Sequence, residues 1–333
     1  MTDEADILIQ AERWRRSGVG VAIASVVETF GSAPRPLGAH LVVDESGRFV
    51  GSVSAGCVEG DVIAAALDVI ADGAPRLLEF GVADEVAWRA GLSCGGRIAL
   101  FVERLDEAGL ELLAASNRLS AARRAHAILT PLDGGAARLI ERDDELAAHG
   151  GHSRILAGEG RRRFVEVRLP TPRLIVIGAV HVAQALAPMA RIAGYEVTVV
   201  DPRGAYATAE RFPDARLDPR WPDEALPSIG LDSATAVVVL THDPKLDDPA
   251  LRAALEADCF YIGALGSRAT KARRAERLLA AGVAREKLAR VHAPIGLDIG
   301  ALSPADIAIS TLAEIILERR RKPLRDANRE QPA

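Results

Sequence analysis

The sequence predicts an α/β protein in two parts: an N-terminal α+β domain with a mixed sheet over residues 1–170, and a C-terminal domain with a doubly wound parallel sheet over residues 171–322. Three observations predict it. The chain has 333 residues, 49% of them hydrophobic, more than one core ordinarily organises. Before residue 170, short β-like runs follow one another across Gly- and Pro-rich turns. From "PTPR" at residues 170–173 onward, apolar runs without polar alternation are each followed by a helix-like segment, as in parallel strands buried on both faces.

Taken in order, "MTDEADILIQAERWRRSG" is charged and helix-like. "VGVAIASVVET" reads as a strand, "FGSAPRPLG" as a loop, and "AHLVVD" and "RFVGSVS" as strands joined by a turn at "ESG". Val58, Val62, Ile63, Leu67 and Ile70 then fall at helical spacing, predicting a helix from Val58 to Ile70. "PRLLEFG" and "RIALFVERL" are strands around "GLSCGGR", Asp106 to Asn117 a helix, and "HAILTPL", "ARLIERD" and "RFVEVRLP" further strands of a mixed or antiparallel sheet. In the second domain the strands are "LIVIG", "EVTVVD", "TAVVVLTH", "CFYIGA" and "RVHAPIG". Helices are predicted from His181 to Ala193, Pro249 to Glu256, Arg268 to Ala281 and Pro304 to Arg320, with a Pro-rich excursion after Asp201. Residues 323–333 are expected to lack fixed structure.

Composition narrows the function classes. No apolar run reaches the roughly 18 residues of a membrane span, and the N-terminal residues carry no apolar block flanked by basic ones, so no membrane association and a cytoplasmic location are expected. A formal net charge of −5 gives no reason to expect nucleic acid, and "RRRKPLRDANRE" reads as a solvated basic tail. Three cysteines, Cys57, Cys94 and Cys259, form no C-x-x-C pair. They are read as free thiols, with no disulfide framework, zinc site or iron–sulfur chain.

The second domain's loops point to one crevice. "GAVHVAQALA" matches G-x-G-x-x-A from Gly178, with Val180 in the second glycine's place and His181 next to it. Asp201 closes the next strand 23 residues after Gly178, where a ribose-binding carboxylate would lie. Thr241, His242 and Asp243, the run "GALGSR" and the run "HAPIGLDIG" each follow a predicted parallel strand, and carboxyl ends of parallel strands line a single ligand crevice. Gly266, Ser267 and Arg268 open a helix whose unpaired N–H groups suit an anion, or else form an ordinary cap with a solvated arginine. His242 and Asp243 are a candidate proton-transfer pair, or else a turn with a hydrogen-bonded imidazole.

Two of the cysteines stand in glycine-flanked loops. Cys57, in "SVSAGCVEGDV", falls at a strand-to-helix turn, where the helix end stabilises a thiolate able to ligate a soft metal. Cys94, in "LSCGGR", is walled by small residues with Arg97 nearby. Cys259 is assigned to packing inside a buried strand.

The run "GSAPRPLGAHLVVDESGRFVGSVSAGCVEGDV" together with "SCGGR", "GAVHVA", "VVVLTHD", "YIGALGSR" and "PIGLDIGALSPADIAIS" resembles the XdhC/CoxI family of xanthine dehydrogenase accessory proteins. The resemblance spans nearly the whole chain, although the family's usual "GAGHVA" is "GAVHVA" here. It implies a small N-terminal domain joined to a Rossmann-like one, and a maturation factor rather than a catalyst. Such a factor binds the molybdenum cofactor, assists its sulfuration alongside a cysteine desulfurase, and inserts it into a xanthine dehydrogenase or CO dehydrogenase type client, a molybdenum hydroxylase. Under that implication Gly178, His181, Asp201, His242, Asp243, Gly266, Ser267 and Arg268 are cofactor-binding candidates, with Cys57 or Cys94 as a soft ligand and Cys57 as the metal contact. A homodimer is expected. A rival reading is an NAD(P)-dependent oxidoreductase with His242 as acid or base; a third is a redox sensor closing a Cys57–Cys94 disulfide.

Overall fold

A computed structural model describes residues 4–31, 35–81, 97–142, 146, 152–158 and 161–327. Cys94 lies outside the described residues. The chain divides into two compact units, Met1–Pro170 and Thr171–Ala333.

In the first unit, α1 (Glu4–Arg16) leads into β1 (Val21–Phe30), β2 (His40–Asp44), β3 (Phe49–Gly51), α2 (Glu59–Asp72), β4 (Arg76–Phe80) and β5 (Arg97–Arg104). These strands form an antiparallel sheet in the order β3-β2-β1-β5-β4. Strand alternation divides its faces. Ala22, Ala24, Leu41, Val43, Leu100 and Val102 pack under Val62, Ala66 and Val69 of α2, each large side chain contributing roughly 1.5–3 kcal/mol by burial. Val27, Ala99 and Phe101 face Phe164 of a second antiparallel sheet and Leu132 just beyond one of its strands. That sheet has the order β7-β6-β9-β8, from β6 (His126–Pro131), β7 (Arg138–Ile140), β8 (Arg154–Gly158) and β9 (Arg161–Arg168). Between β5 and β6 lies α3 (Glu107–Ala121), capped by Asp106, whose carboxylate accepts from Gly109 N at 2.8 Å.

Of the mixed or antiparallel sheet expected, the antiparallel alternative holds, and it is divided in two, every described pairing in this unit being antiparallel. Strand β8 was not legible because it pairs only with β9, at a sheet edge, and its described side chains lack an apolar alternation.

The second unit runs β10 (Arg173–Ile177), α4 (His181–Ile192), β11 (Glu196–Val200), β12 (Arg216–Asp218), α5 (Pro222–Ile229), β13 (Thr235–Val239), α6 (Pro244–Glu256), β14 (Tyr261–Ala264), α7 (Arg268–Ala280), a 3-10 turn at Arg285–Arg290, β15 (Val291–His292) and α8 (Pro304–Ala327). All six strands are parallel, in the order β12-β11-β10-β13-β14-β15. This is the 3-2-1-4-5-6 order of a doubly wound Rossmann sheet, whose direction of winding reverses between its first and fourth strands. Leu174 and Val176 pack into one core with α4 and α8, while Ile175 and Ile177 pack into the other with α5 and α6. Burial on both faces is why these strands read as unbroken apolar runs.

The Pro-rich excursion contains β12 and α5, which begins with Pro222 in its first turn, where a missing N–H costs nothing. Likewise α6 starts at Pro244 and not Pro249, because Asp243 caps it and Pro244 occupies the same position. Cys259 is buried but precedes β14 rather than lying inside it. Helix α8 continues to Ala327, into the segment expected to lack fixed structure. No helix among the described residues is long and apolar enough to cross a membrane.

Candidate functional site

The loop that carries Cys57 is organised by a carboxylate. Glu59, the first residue of α2, accepts hydrogen bonds from Ser52 Oγ at 2.7 Å, Ser54 N at 2.9 Å, Gly56 N at 2.8 Å and Val53 N at 3.2 Å, and also from the Ser54 hydroxyl. Ser54 Oγ in turn accepts from Val58 N at 2.9 Å, and Ser52 Oγ from Ala55 N at 3.0 Å. Burial pushes the Glu59 carboxyl up, but the donors from Ser54 and Ser52 outweigh it and hold the group down at about 2. The same loop keeps Ala55 at φ 59°, a left-handed conformation that costs a residue with a Cβ about 1–2 kcal/mol. Cys57 follows, half-buried, one side against the core beneath α2, and it precedes the N-cap residue Val58 rather than opening the helix itself. It is thus both packed and partly accessible. Sequence reasoning singled out the cysteine and missed Glu59, whose signal was an acidic residue in a helix's first turn, three residues after a loop amide it can accept from.

In the second unit the strand ends bring four of the sequence-selected loops to one edge of the sheet. Gly178 follows β10 at φ 103°, and a Cβ there would collide with Thr241 Cγ2 of the loop after β13, so the two loops of the winding reversal touch through this glycine. Val180 has an extended backbone that any residue adopts, and its side chain packs against the core beside α4. It makes no side-chain cap, whereas α6 is capped by Asp243, which accepts from Lys245 N at 2.9 Å, and α7 by Ser267, which accepts from Thr270 N at 3.2 Å. Among the described residues the first-turn amides of α4 are therefore left without a side-chain acceptor, and His181 is exposed at that helix start.

Asp201 is fully buried, and its carboxylate is already occupied. It accepts from Ala179 N at 2.8 Å, from Arg203 N at 3.0 Å and from Arg203 Nε and Nη2 at 2.8 and 2.7 Å. Burial raises its pKa, and the Arg203 guanidinium with these amides outweighs burial, holding it below the usual carboxylate range. Asp201 thus ties the end of β11 to the Gly178 loop. Arg203 lies over the Tyr206 ring at 4.3 Å, a cation beside the crevice that sequence reasoning overlooked. Its signal is a repeat: "DPR" recurs at Asp218–Arg220, with Arg220 Nε and Nη2 on Asp218 at 2.9 and 2.6 Å.

Beyond β13, His242 is exposed and left-handed at φ 65°, while Thr241 Oγ1 donates to Asp247 at 2.6 Å. Strain of this kind persists where neighbours over-determine the backbone. Asp243 is spent on its cap, so the structure does not pair it with His242. After β14, Gly266 sits at φ 138° with Thr270 directly behind it, and Arg268 is exposed with no ion pair to a described residue. Arg274 of α7 is buried beneath this loop, bonding Leu265 O at 3.0 Å and Asp247 at 3.1 Å. After β15, Glu314 accepts from Tyr261 OH at 2.6 Å and Gly296 N at 2.8 Å, with His292 Nδ1 at 3.0 Å, so the "HAPIG" run is fastened to α8. No cluster of His, Cys, Asp and Glu among the described residues could by itself hold a metal ion. The crevice combines uncapped amides, tight glycines and a free cation, a set suited to a phosphate-bearing ligand.

Known proteins share both halves. Residues 174–315 match the family model described as the XdhC Rossmann domain, and residues 14–81 that of the XdhC and CoxI family. The molybdenum cofactor insertion chaperone PaoD of Escherichia coli strain K12 is 33% identical over 314 residues, covering 94% of this chain and 88% of the relative. A probable xanthine dehydrogenase subunit of Bacillus subtilis strain 168 is 29% identical, covering 90% of this chain and 93% of the relative. A crystal structure of a xanthine dehydrogenase from Bacillus halodurans superposes with a TM-score of 0.72 at 25% identity, covering 94% of this chain and 96% of that one. With each half matched in sequence order and one relative a third identical across nearly the whole length, the chain belongs to the XdhC and CoxI family.

Proposed function

We propose that this protein is a maturation factor that binds the molybdenum cofactor and delivers it to a molybdenum hydroxylase of the xanthine dehydrogenase type. The observation that carries the reading is the near-full-length likeness to a molybdenum cofactor insertion chaperone. The residues suit such a cargo, a pterin that carries molybdenum on a dithiolene and ends in a phosphate. The uncapped start of α4, the Gly266 turn and Arg268 supply donors and a cation for the phosphate. Cys57, on a loop held rigid by Glu59, offers a soft sulfur for the metal end. Sulfuration with a cysteine desulfurase, a CO dehydrogenase type client, cytoplasmic location and a homodimer belong to the same proposal. A dehydrogenase reading has no specific support, since the carboxylate expected to hold a ribose has all its hydrogen bonds inside the protein.

The test is anaerobic titration with isolated molybdenum cofactor, followed by transfer to an apo-hydroxylase. Near-stoichiometric binding and restored client activity are expected, with a Cys57→Ser variant folding normally but loading or transferring about tenfold less. Xanthine turnover by the protein alone, or no binding of the cofactor, would overturn the reading.

A further inference from the structure

A cavity of about 360 Å³ lies within the first unit, between its two sheets and beside α1 and α3. None of the residues selected from the sequence lines it. Its volume falls in the range of small-molecule sites, roughly 300–1,000 Å³. The two walls follow from strand register. Ser25 of β1 pairs with His40 on one side and Phe101 on the other, Ile23 pairs with Glu103, and across the gap Ile128 pairs with Glu166 and Thr130 with Phe164. Side chains of these residues line the space together with Arg168.

Four of them are ionisable, which is unusual between two sheets. Glu166 is committed: Arg168 Nε donates to it at 2.7 Å, and His40 Nε2 stands 3.4 Å away. Arg168 is committed further, donating to Ser116 Oγ at 2.8 Å, which lies 2.7 Å from His126 Nε2. Glu103 is different. It makes no hydrogen bond or ion pair to any described residue, while Glu166 and Asp106 bear on it as like charges. Burial, then Glu166 and Asp106, push its carboxyl up to about 7, against a smaller opposing effect of His40. Glu103 is half-buried with its carboxylate on the cavity, so it is open to N–H donors from whatever occupies the space.

The chemistry of that ligand is constrained from three sides. Glu103, Asp106 and Glu166 line the cavity with Arg104, Arg168 and His40, and because Arg168 and His40 both bear on Glu166, Glu103 is the carboxylate open to a donor. Phe101, Phe164, Ile23 and Ile128 offer apolar walls to a flat ring. A carboxylate is best satisfied by two parallel N–H donors, as in its pairing with a guanidinium fork. We propose that this cavity binds a planar 2-amino-4-oxo nitrogen heterocycle, the chemistry shared by pterin and guanine, with its amino–imino edge on Glu103 and the Ser25 and Thr130 hydroxyls beside it. That the heterocycle is the pterin end of the proposed cargo rests on the functional reading above. The cavity itself does not.

The experiment titrates the full chain with 2-amino-4-oxopteridine and, separately, with guanosine, by fluorescence and equilibrium dialysis, and measures molybdenum cofactor loading on the same preparations. Binding of either probe is expected, weakened at least tenfold in Glu103→Gln, which keeps the shape and removes an uncompensated charge. Ala108→Trp, an exposed position on the rim, should block binding without touching the buried cluster. Pterin bound in preference to guanosine assigns the site to the cargo, and the reverse preference assigns it to a purine. Failure of both probes to bind, or equal binding by wild type and both variants, overturns the inference. Full cofactor loading alongside that failure would leave the maturation reading standing, and probe binding without cofactor loading would do the opposite.

Discussion

Glu59 and Glu103 belong to the same unit, and the protein treats them in opposite ways. Glu59 sits at the start of α2 under five donors and is held at about 2; Glu103 faces the inter-sheet cavity without one among the described residues and is pushed up to about 7. Burial raises both. What separates them is that donors from Ser54 and Ser52 outweigh burial at Glu59, whereas at Glu103 deeper burial is reinforced by the like charges of Glu166 and Asp106, so one carboxyl is a fixed anion and the other a poised acid.

The comparison breaks most visibly if Glu59 is removed. Glu59→Ala strands loop amides and both serine hydroxyls, and should cost on the order of 3 kcal/mol in urea unfolding while abolishing any loading that depends on Cys57. The pH dependence has a definite sign. The Glu59 pKa is depressed in the fold, so its contribution is present above pH 4.5 and disappears as pH falls through about 2. Glu103→Gln should act the other way, raising stability at pH 8 by about 1–3 kcal/mol. The folded pKa of Glu103 is raised, so the wild type loses stability as pH rises from 4.5 through about 7, and the variant should show a flatter profile over that window. Equal pH profiles for wild type and Glu103→Gln would erase the contrast.

A second pair sharpens the crevice. Arg268→Ala should weaken a phosphate-bearing ligand about tenfold with no change in melting, because its guanidinium is exposed and unpaired among the described residues. Gly266→Val should lower both affinity and melting temperature, since φ 138° excludes a branched side chain and Thr270 Cγ2 stands 2.9 Å from the added Cβ. The smallest effect separates the thiols. Burial pushes Cys259 up to about 11, so iodoacetamide at pH 8 should label half-buried Cys57 and spare Cys259, and Cys259→Ser should cost about 1 kcal/mol.

Along the chain, the residues alone determined the change of architecture after Pro170, the parallel order of apolar strands and helices, and the loops that meet at the strand ends. These are local properties: periodicity, turn chemistry and unbroken apolar runs act over ten or so residues and leave their trace in the sequence. The prolines at 222 and 244 misled because a first-turn proline and a helix-breaking one look alike until the cap is seen. Only the tertiary structure decided that Asp201 is spent on the Gly178 loop, that Asp243 caps a helix instead of pairing with His242, that Glu59 governs the loop of Cys57, and that Glu103, Glu166, His40 and Arg168 share one cavity. The last four come from β2, β5 and β9, separated by up to more than a hundred residues, and a carboxyl's state depends on which donors the fold brings within about 3 Å of it. That proximity is a property of packing, which no spacing along the chain encodes.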